Sequence, residues 1–113
     1  MKYKGSCHCG SVEFLVETDL SKIVQCNCSI CKRKNAKMAL ISKDSITIIK
    51  GEENLGTYQF NTMKATHFFC KTCGIYTHHN RRNDPNGVGI NIGCVEEIDP
   101  FEYDVEFVDM KNK

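Results

Sequence analysis

Eight cysteines, most of them in tight groups, are the residues of this 113-residue chain best suited to do chemistry. They fall into three clusters and one single residue, namely Cys7/Cys9, Cys26/Cys28/Cys31, Cys70/Cys73 and Cys94. Side chains two residues apart in an extended segment point to the same side, so these pairs can offer two sulfurs to one ion. In a tetrahedral zinc site with Zn–S bonds of about 2.3 Å, sulfurs lie roughly 3.8 Å apart, which such spacings can reach. The clusters therefore predict zinc binding.

The number of cysteines predicts two Zn²⁺ ions per chain, but spacing alone leaves the partners open. The simplest closed site joins the two pairs into one four-thiolate, structural site that contributes folding energy: Cys7, Cys9, Cys70 and Cys73. This leaves Cys26, Cys28 and Cys31 as three ligands with an open fourth position, as in catalytic zinc sites. By spacing, the partners are still exchangeable. Cys94 is either a buried apolar residue, a thiol of the substrate pocket or the fourth ligand.

Two glycines follow cysteines of the proposed closed site. Gly10 comes after Cys9, and Gly74 comes after Cys73. A glycine there allows positive φ, which turns backbone N–H groups toward the thiolates and offsets their charge. Ordinary turns are the alternative interpretation, but the adjoining cysteines favour a metal-binding loop.

The four histidines give weaker signals than the cysteines. His8 lies between two ligands and should point away from their metal. For His67 we expect a packed or hydrogen-bonded ring, because strand alternation turns it away from Cys70. His78 and His79 are adjacent, so in a strand they face opposite sides, and one of them could serve as a proton shuttle or a fourth ligand.

Length and composition fit one small domain that spans residues 1–113, with a core of about 3–108. The formal net charge is +1, which gives no reason to expect a nucleic-acid partner. No signal peptide and no membrane-length apolar run are recognisable, so we expect a cytoplasmic protein without a membrane partner. In that reducing compartment, cysteines persist as metal ligands rather than as disulfides.

The pattern between the clusters is that of a mainly β, mostly antiparallel fold. Val12, Phe14 and Val16 alternate with polar residues after the Gly10 turn. Further short runs rich in β-branched and aromatic residues predict strands at 22–26, 38–41, 45–49, 57–60, 65–69, 88–92 and 103–108. The one predicted helical turn covers 29–34, with Ser29 as a possible cap.

The ordered motifs resemble the glutathione-dependent formaldehyde-activating enzyme and centromere protein V family. The likeness rests on the runs CHCGSV at 7–12, CNCSIC at 26–31 and CKTCG at 70–74, and it covers nearly the whole chain. The segment 57–67, TYQFNTMKATH, leading into Phe69-Cys70, and the run GVGI at 87–90 look closest to the centromere protein V branch.

This resemblance implies a zinc-containing domain of the β-tent, Mss4-like type. It also implies that the first and third clusters form the structural zinc site and that the second cluster forms the catalytic one. The family's named activity is a carbon–sulfur lyase reaction, that of an S-(hydroxymethyl)glutathione synthase, which joins formaldehyde to the glutathione thiol. The expected partners are therefore a small thiol such as glutathione and an aldehyde.

The predicted three-thiolate site suits a thiol better than a hydrolytic water. Three thiolates leave the complex with a net charge near −1, which weakens the power of Zn²⁺ to acidify water. A bound substrate thiol would instead be held as the nucleophilic thiolate. Glutathione carries two carboxylates, so Lys32 and Arg33, with Lys34, or the pair Arg81-Arg82, are candidate substrate contacts. Ordinary solvated surface charges are the alternative.

Two other functions remain compatible with the residues. The centromere protein V likeness also permits a non-catalytic zinc module that binds a protein or nucleic acid, although such a module would favour basic extensions that this chain lacks. A redox-sensing cluster would require Cys26, Cys28 and Cys31 to release zinc on oxidation.

Overall fold

The computed structural model describes residues 1–109, which form ten strands and one short helix. The strands are β1 (Lys2–Ser6), β2 (Glu13–Glu17), β3 (Ile23–Cys26), β4 (Met38–Ser42), β5 (Ile46–Lys50), β6 (Leu55–Tyr58), β7 (Thr66–Cys70), β8 (Tyr76–Asn80), β9 (Gly87–Asn91) and β10 (Glu106–Val108). The helix α1 covers Cys31–Lys34, and four 3₁₀ turns lie at Lys43–Ser45, Glu52–Asn54, Ile92–Cys94 and Pro100–Glu102. The predicted mainly β fold is confirmed.

The strands form two sheets. The smaller sheet has the order β1-β2-β5, and the larger has the order β10-β3-β4-β9-β8-β7-β6. All pairings are antiparallel except that of β10 with β3, which is parallel. Because β3 and β7 each end in a cysteine, the large sheet presents Cys26 and Cys70 at two separate places.

The main core lies between the sheets and is apolar. Phe14 and Val16 alternate inward on β2, and they pack in one cluster with Ile90 of β9 and with Ile92. All four side chains are at most 1% exposed. Burial of each such side chain contributes about 1.5–3 kcal/mol, so this layer fixes how the two sheets meet.

Several local predictions need correction. The sequence pattern predicts no strand at β1, and at β8 it names one only as the condition under which His78 and His79 face opposite sides. Both segments are polar and lack apolar alternation. Strand β1 forms by pairing with β2, where Lys4 and Glu13 approach to 3.6 Å. Ser29 is not the helix cap: the N-cap position is Ile30, without a side-chain hydrogen bond. The strand expected at 103–108 is reduced to β10 because a 3₁₀ turn and a bend precede it.

Within residues 1–109, no helix has the length and apolar character needed to cross a membrane.

Candidate metal centres and the adjoining pocket

The first cysteine cluster joins two distant parts of the chain. Cys7 and Cys9 follow β1, Cys70 ends β7, and Cys73 lies in the next turn. The Sγ atoms of Cys7 and Cys9 are 3.7 Å apart, and so are those of Cys9 and Cys70. All four sulfurs lie within 4.8 Å of one another. These gaps are close to the roughly 3.8 Å expected around tetrahedral zinc.

Backbone groups support this first cluster as the glycines predict. Gly10 and Gly74 have φ values of 82° and 78°. The N–H of Val12 donates to Cys7 Sγ at 3.3 Å, and the N–H of Cys73 donates to Cys70 Sγ at 3.5 Å. Such donors stabilise negative charge on sulfur and hold the thiols in place.

The pKa of Cys73 shows the effect of further backbone donors of this kind. Burial opposes ionisation, but hydrogen bonds from backbone groups of Cys9 and Ile75 lower the pKa of Cys73 to about 6. The thiolate, which is the form that binds zinc, is therefore accessible near neutral pH.

The second cluster is built within six residues. Cys26 ends β3, Cys28 lies in the loop, and Cys31 begins α1. The three sulfurs lie within 4.8 Å of one another, and each is half-buried. The N–H of Cys28 donates to Cys26 Sγ, and the N–H of Cys31 donates to Cys28 Sγ, both at 3.4 Å.

The acidities of the second cluster differ from one thiol to the next. Burial raises the pKa of Cys31 well above its usual value. Burial also opposes ionisation of Cys28, but hydrogen bonds from the Cys31 thiol and backbone outweigh it and lower the pKa of Cys28. Both clusters consist only of sulfur donors, a set that suits a borderline-soft ion such as Zn²⁺ and not the hard cations Mg²⁺ or Ca²⁺. The residues therefore fit the metal that the sequence predicts.

A cavity of about 320 Å³ opens beside the second cluster and includes all three of its cysteines in the lining. The lining includes apolar side chains from β3, β4 and the loop after β6, among them Val24, Met38, Leu40 and Phe60. It also includes basic and imidazole side chains, namely Lys34, His67, His79, Arg81 and Arg82. Among the described residues, no aspartate or glutamate lines this cavity.

Lys34 is a cation of the cavity lining that interacts with the three cysteines. Its Nζ lies 3.9 Å from the centroid of the Tyr76 ring, which is a cation–π distance. Burial lowers the pKa of Lys34, and the negative charges of Cys31, Cys28 and Cys26 oppose that change. The charge of Lys34 therefore interacts with the charges of the three-cysteine cluster.

The histidines of β7 and β8 occupy the places expected from strand alternation. Nδ1 of His67 lies 3.0 Å from the Tyr76 hydroxyl, so this ring is hydrogen-bonded, as predicted. His79 lines the cavity, whereas His78 stacks on Phe68 with ring centroids 4.4 Å apart, away from it. Burial lowers the pKa of His79 to about 3, helped by the charge of Lys34, and burial also lowers the pKa of His67 to about 4. Both imidazoles are neutral at physiological pH.

Other residues singled out in the sequence lie outside the cavity. Lys32 and Arg33 are exposed and do not line it, and Arg33 donates to the carbonyl of Ser29 at 2.7 Å. His8 is exposed.

Cys94 lies in the main core, separate from both clusters, with its Sγ 3.6 Å from the carbonyl oxygen of Tyr76. Burial raises the pKa of the Cys94 thiol to about 12. The sequence pattern gave no role to Tyr76 or Phe60, because their proximity to the cysteines arises only from the sheet order.

A small β domain with one closed and one open thiol cluster is the class of protein that this fold and these sites define. The family described as glutathione-dependent formaldehyde-activating enzyme matches residues 2–109. A crystal structure of a Rhodobacter sphaeroides protein, a structural-genomics target, is similar at 42% identity with a TM-score of 0.89. The match covers 93% of this chain and 99% of that one. The chain belongs to the glutathione-dependent formaldehyde-activating enzyme family, while its closeness to the centromere protein V branch stays a prediction.

Proposed function

We propose that this protein is a zinc-dependent carbon–sulfur lyase that forms and breaks the adduct of a small thiol, such as glutathione, with an aldehyde, such as formaldehyde. The observation that carries the proposal is the opening of the three-cysteine cluster into a basic cavity. Family membership adds weight, because the family's name specifies both reactants.

In this proposal the two clusters have different tasks. Cys7, Cys9, Cys70 and Cys73 would hold a structural zinc, and Cys26, Cys28 and Cys31 would hold a second zinc of the catalytic type. When bound there, the ion would supply an electrophilic centre that favours the thiolate form of a substrate thiol. The apolar side chains of the cavity would exclude water from the reacting carbon.

We assign recognition of the thiol's carboxylates to Arg81 and Arg82. Both line the cavity, and Arg81 is only loosely engaged by Asp84, at 3.8 Å. Guanidinium groups bind carboxylates in a bidentate manner, which would orient the sulfur toward the cysteines. Lys32 and Arg33, which the sequence also suggested, would act at most from outside the cavity. We further propose that the reaction takes place in the cytoplasm, where thiols stay reduced.

The direct test is exchange of glutathione and formaldehyde with their adduct, followed by NMR with and without the zinc-loaded protein. We expect saturable acceleration above the spontaneous exchange, and its loss in Cys28→Ser with the fold intact. Absence of acceleration across several thiols and aldehydes would reject the enzyme and favour a non-catalytic zinc module.

A further inference from the structure

Two polar atoms of the cavity lack a regular hydrogen bond within the protein, although Lys34 Nζ contacts the Tyr76 ring and interacts with the Cys31 thiol. Over residues 1–109, Lys34 Nζ and His79 Nδ1 are the buried side-chain nitrogen or oxygen atoms without a hydrogen bond. Both residues line the cavity that contains the three cysteines. Buried polar groups are nearly always hydrogen-bonded, so two orphaned atoms in one cavity indicate a polar ligand group there.

The place of Lys34 limits which ligand group this is. Lys34 lines the same cavity as the three cysteines and interacts with the Cys31 thiol, so an oxygen bound by Nζ would lie near a sulfur held by those cysteines. In a thiol–aldehyde adduct, the hydroxyl oxygen is two bonds from sulfur. The carboxylates of glutathione lie many bonds further from the sulfur, and the proposed function assigns them to Arg81 and Arg82.

His79 lies beside the same aromatic ring as Lys34, since the ring centroids of Tyr76 and His79 are 6.2 Å apart and Lys34 Nζ lies 3.9 Å from the Tyr76 centroid. Its cross-strand partner is Gly89, and any Cβ at that position would overlap the imidazole, so the glycine makes room for the ring. The ring stacks on His67 at 5.4 Å between centroids. A neutral imidazole nitrogen can accept a hydrogen bond, whereas a lysine ammonium only donates.

We propose that Lys34 Nζ and His79 Nδ1 form a subsite for the aldehyde-derived hydroxyl oxygen, with Lys34 as donor and His79 as acceptor. A hydroxyl is the group that accepts and donates through one oxygen, which matches this pair. A carboxylate would use the donor and leave the acceptor unsatisfied. This inference rests on the proposed function and names the residues that touch the reacting oxygen.

The step balances without any further reactant. When the adduct breaks, the hydroxyl proton leaves along its hydrogen bond to His79 Nδ1 and passes on to water, and the O–H electron pair becomes the second bond of the carbonyl. The carbon–sulfur bond breaks, and its electron pair leaves on sulfur as thiolate. Lys34 stabilises the negative charge that develops on oxygen. In the forward direction the thiolate adds to the carbonyl carbon, and the proton returns to oxygen.

The test compares Lys34→Met, His79→Leu and His79→Asn with the wild type, using glutathione and formaldehyde. We expect the first two variants to keep two zincs and to bind glutathione within about threefold, yet to lose roughly 100-fold in kcat. His79→Asn keeps a polar group near the Nδ1 position and should recover part of the rate. Lys32→Met, on the same helix but facing solvent, is the matched control and should leave kcat unchanged.

Two outcomes would overturn the subsite. If zinc content in Lys34→Met falls in step with kcat, the lysine merely neutralises the thiolate cluster. If His79→Leu retains kcat within about threefold, the imidazole does not touch the reacting oxygen. A destabilised His79→Leu is recognised by thermal unfolding, and His79→Gln, which removes the nitrogen from the Nδ1 position, then replaces it in the comparison.

A readout without turnover separates this inference from the proposed function. The ¹⁵N signal of His79 Nδ1, assigned by its absence in His79→Asn, should shift when glutathione and formaldehyde are added together, but not with glutathione alone. Should the wild type fail to accelerate exchange, the enzyme proposal falls and the NMR shift still decides the subsite. A signal that stays unchanged with both reagents rejects it.

Discussion

The two cysteine clusters of this domain use the same donor atom in opposite ways. The four-cysteine cluster ties Cys9 to Cys70, 61 residues away in sequence, and two of its thiols are almost fully buried, Cys7 at 4% and Cys70 at 0% exposed. The three-cysteine cluster is local, half-buried and open to a basic cavity. A long-range cluster would stabilise the fold, whereas a local, open one would be free to bind a ligand. Removing ligands from each cluster tests this division.

Loss of the first cluster should have the largest effect. Cys70→Ser is expected to remove about 5 kcal/mol or more, because structural zinc contributes folding free energy that a small domain cannot spare. Circular dichroism and zinc content should show an unfolded chain. Cys94→Ser is the control: it keeps the sheet and both zincs, since Cys94 packs in the core apart from the clusters. Folding of Cys70→Ser with one zinc retained would contradict the structural role.

Loss of the second cluster should leave the fold intact. Cys28→Ser is expected to keep the cooperative unfolding transition within about 2 kcal/mol, because the three cysteines of this cluster come from one short segment, while the second zinc and the activity are lost. Calorimetry and metal analysis on the same sample measure both properties. Collapse of the fold comparable to that of Cys70→Ser would erase the difference between the clusters.

Substitution of a cavity arginine should weaken binding of glutathione more than substitution of a surface lysine. Arg82→Met is expected to raise KM for glutathione roughly tenfold, corresponding to about 1.4 kcal/mol, with a smaller change in kcat, because the proposed contact of Arg82 is with the carboxylates and not with the reacting atoms. Lys32→Met, exposed and outside the lining, serves as its control. Equal effects of the two substitutions would show that general surface charge attracts the thiol.

The sequence predicts those parts of this arrangement that leave a local pattern in the chain. The cysteine groups, the positive φ of Gly10 and Gly74, and most strands follow from short patterns, and the structure confirms them. Spacing left open how the groups combine into two sites, and the family resemblance implied the combination that the structure has. Strand β1 is not predicted because its residues show no apolar alternation. It forms by pairing with β2. The prediction of Ser29 as helix cap was wrong, because α1 begins at Cys31, within the sulfur cluster, and has no capping side chain.

The cavity lies beyond local patterns altogether. Lys34 and Tyr76 meet because α1 packs beside β3 while β8 lies three strands further across the sheet, and no spacing in the sequence encodes that meeting. The run at 32–34 singled out three cations, but only Lys34 enters the cavity. The orientation of the single turn of α1 determines which of the three side chains lines the cavity, and only the structure shows that orientation.

The smallest effect concerns the side of β8 that faces away from the cavity. Burial lowers the pKa of His78 to about 4, against 6.5 in the unfolded chain, so the unfolded state binds the extra proton below pH 6.5 and stability falls with pH down to about 4. His78→Phe should remove about 1 kcal/mol of the destabilisation between pH 7 and 5.5, measured by chemical unfolding at saturating zinc. An unchanged pH dependence would mean that this histidine does not set it.

The most direct measurement of the central claim is the sulfur coordination of zinc by X-ray absorption, before and after addition of glutathione. One four-thiolate and one three-thiolate site predict a mean near three and a half sulfurs per zinc, rising to four with glutathione. Cys28→Ser should remove the response. A mean of four without glutathione, or no change on its addition, would contradict an open thiol-binding centre.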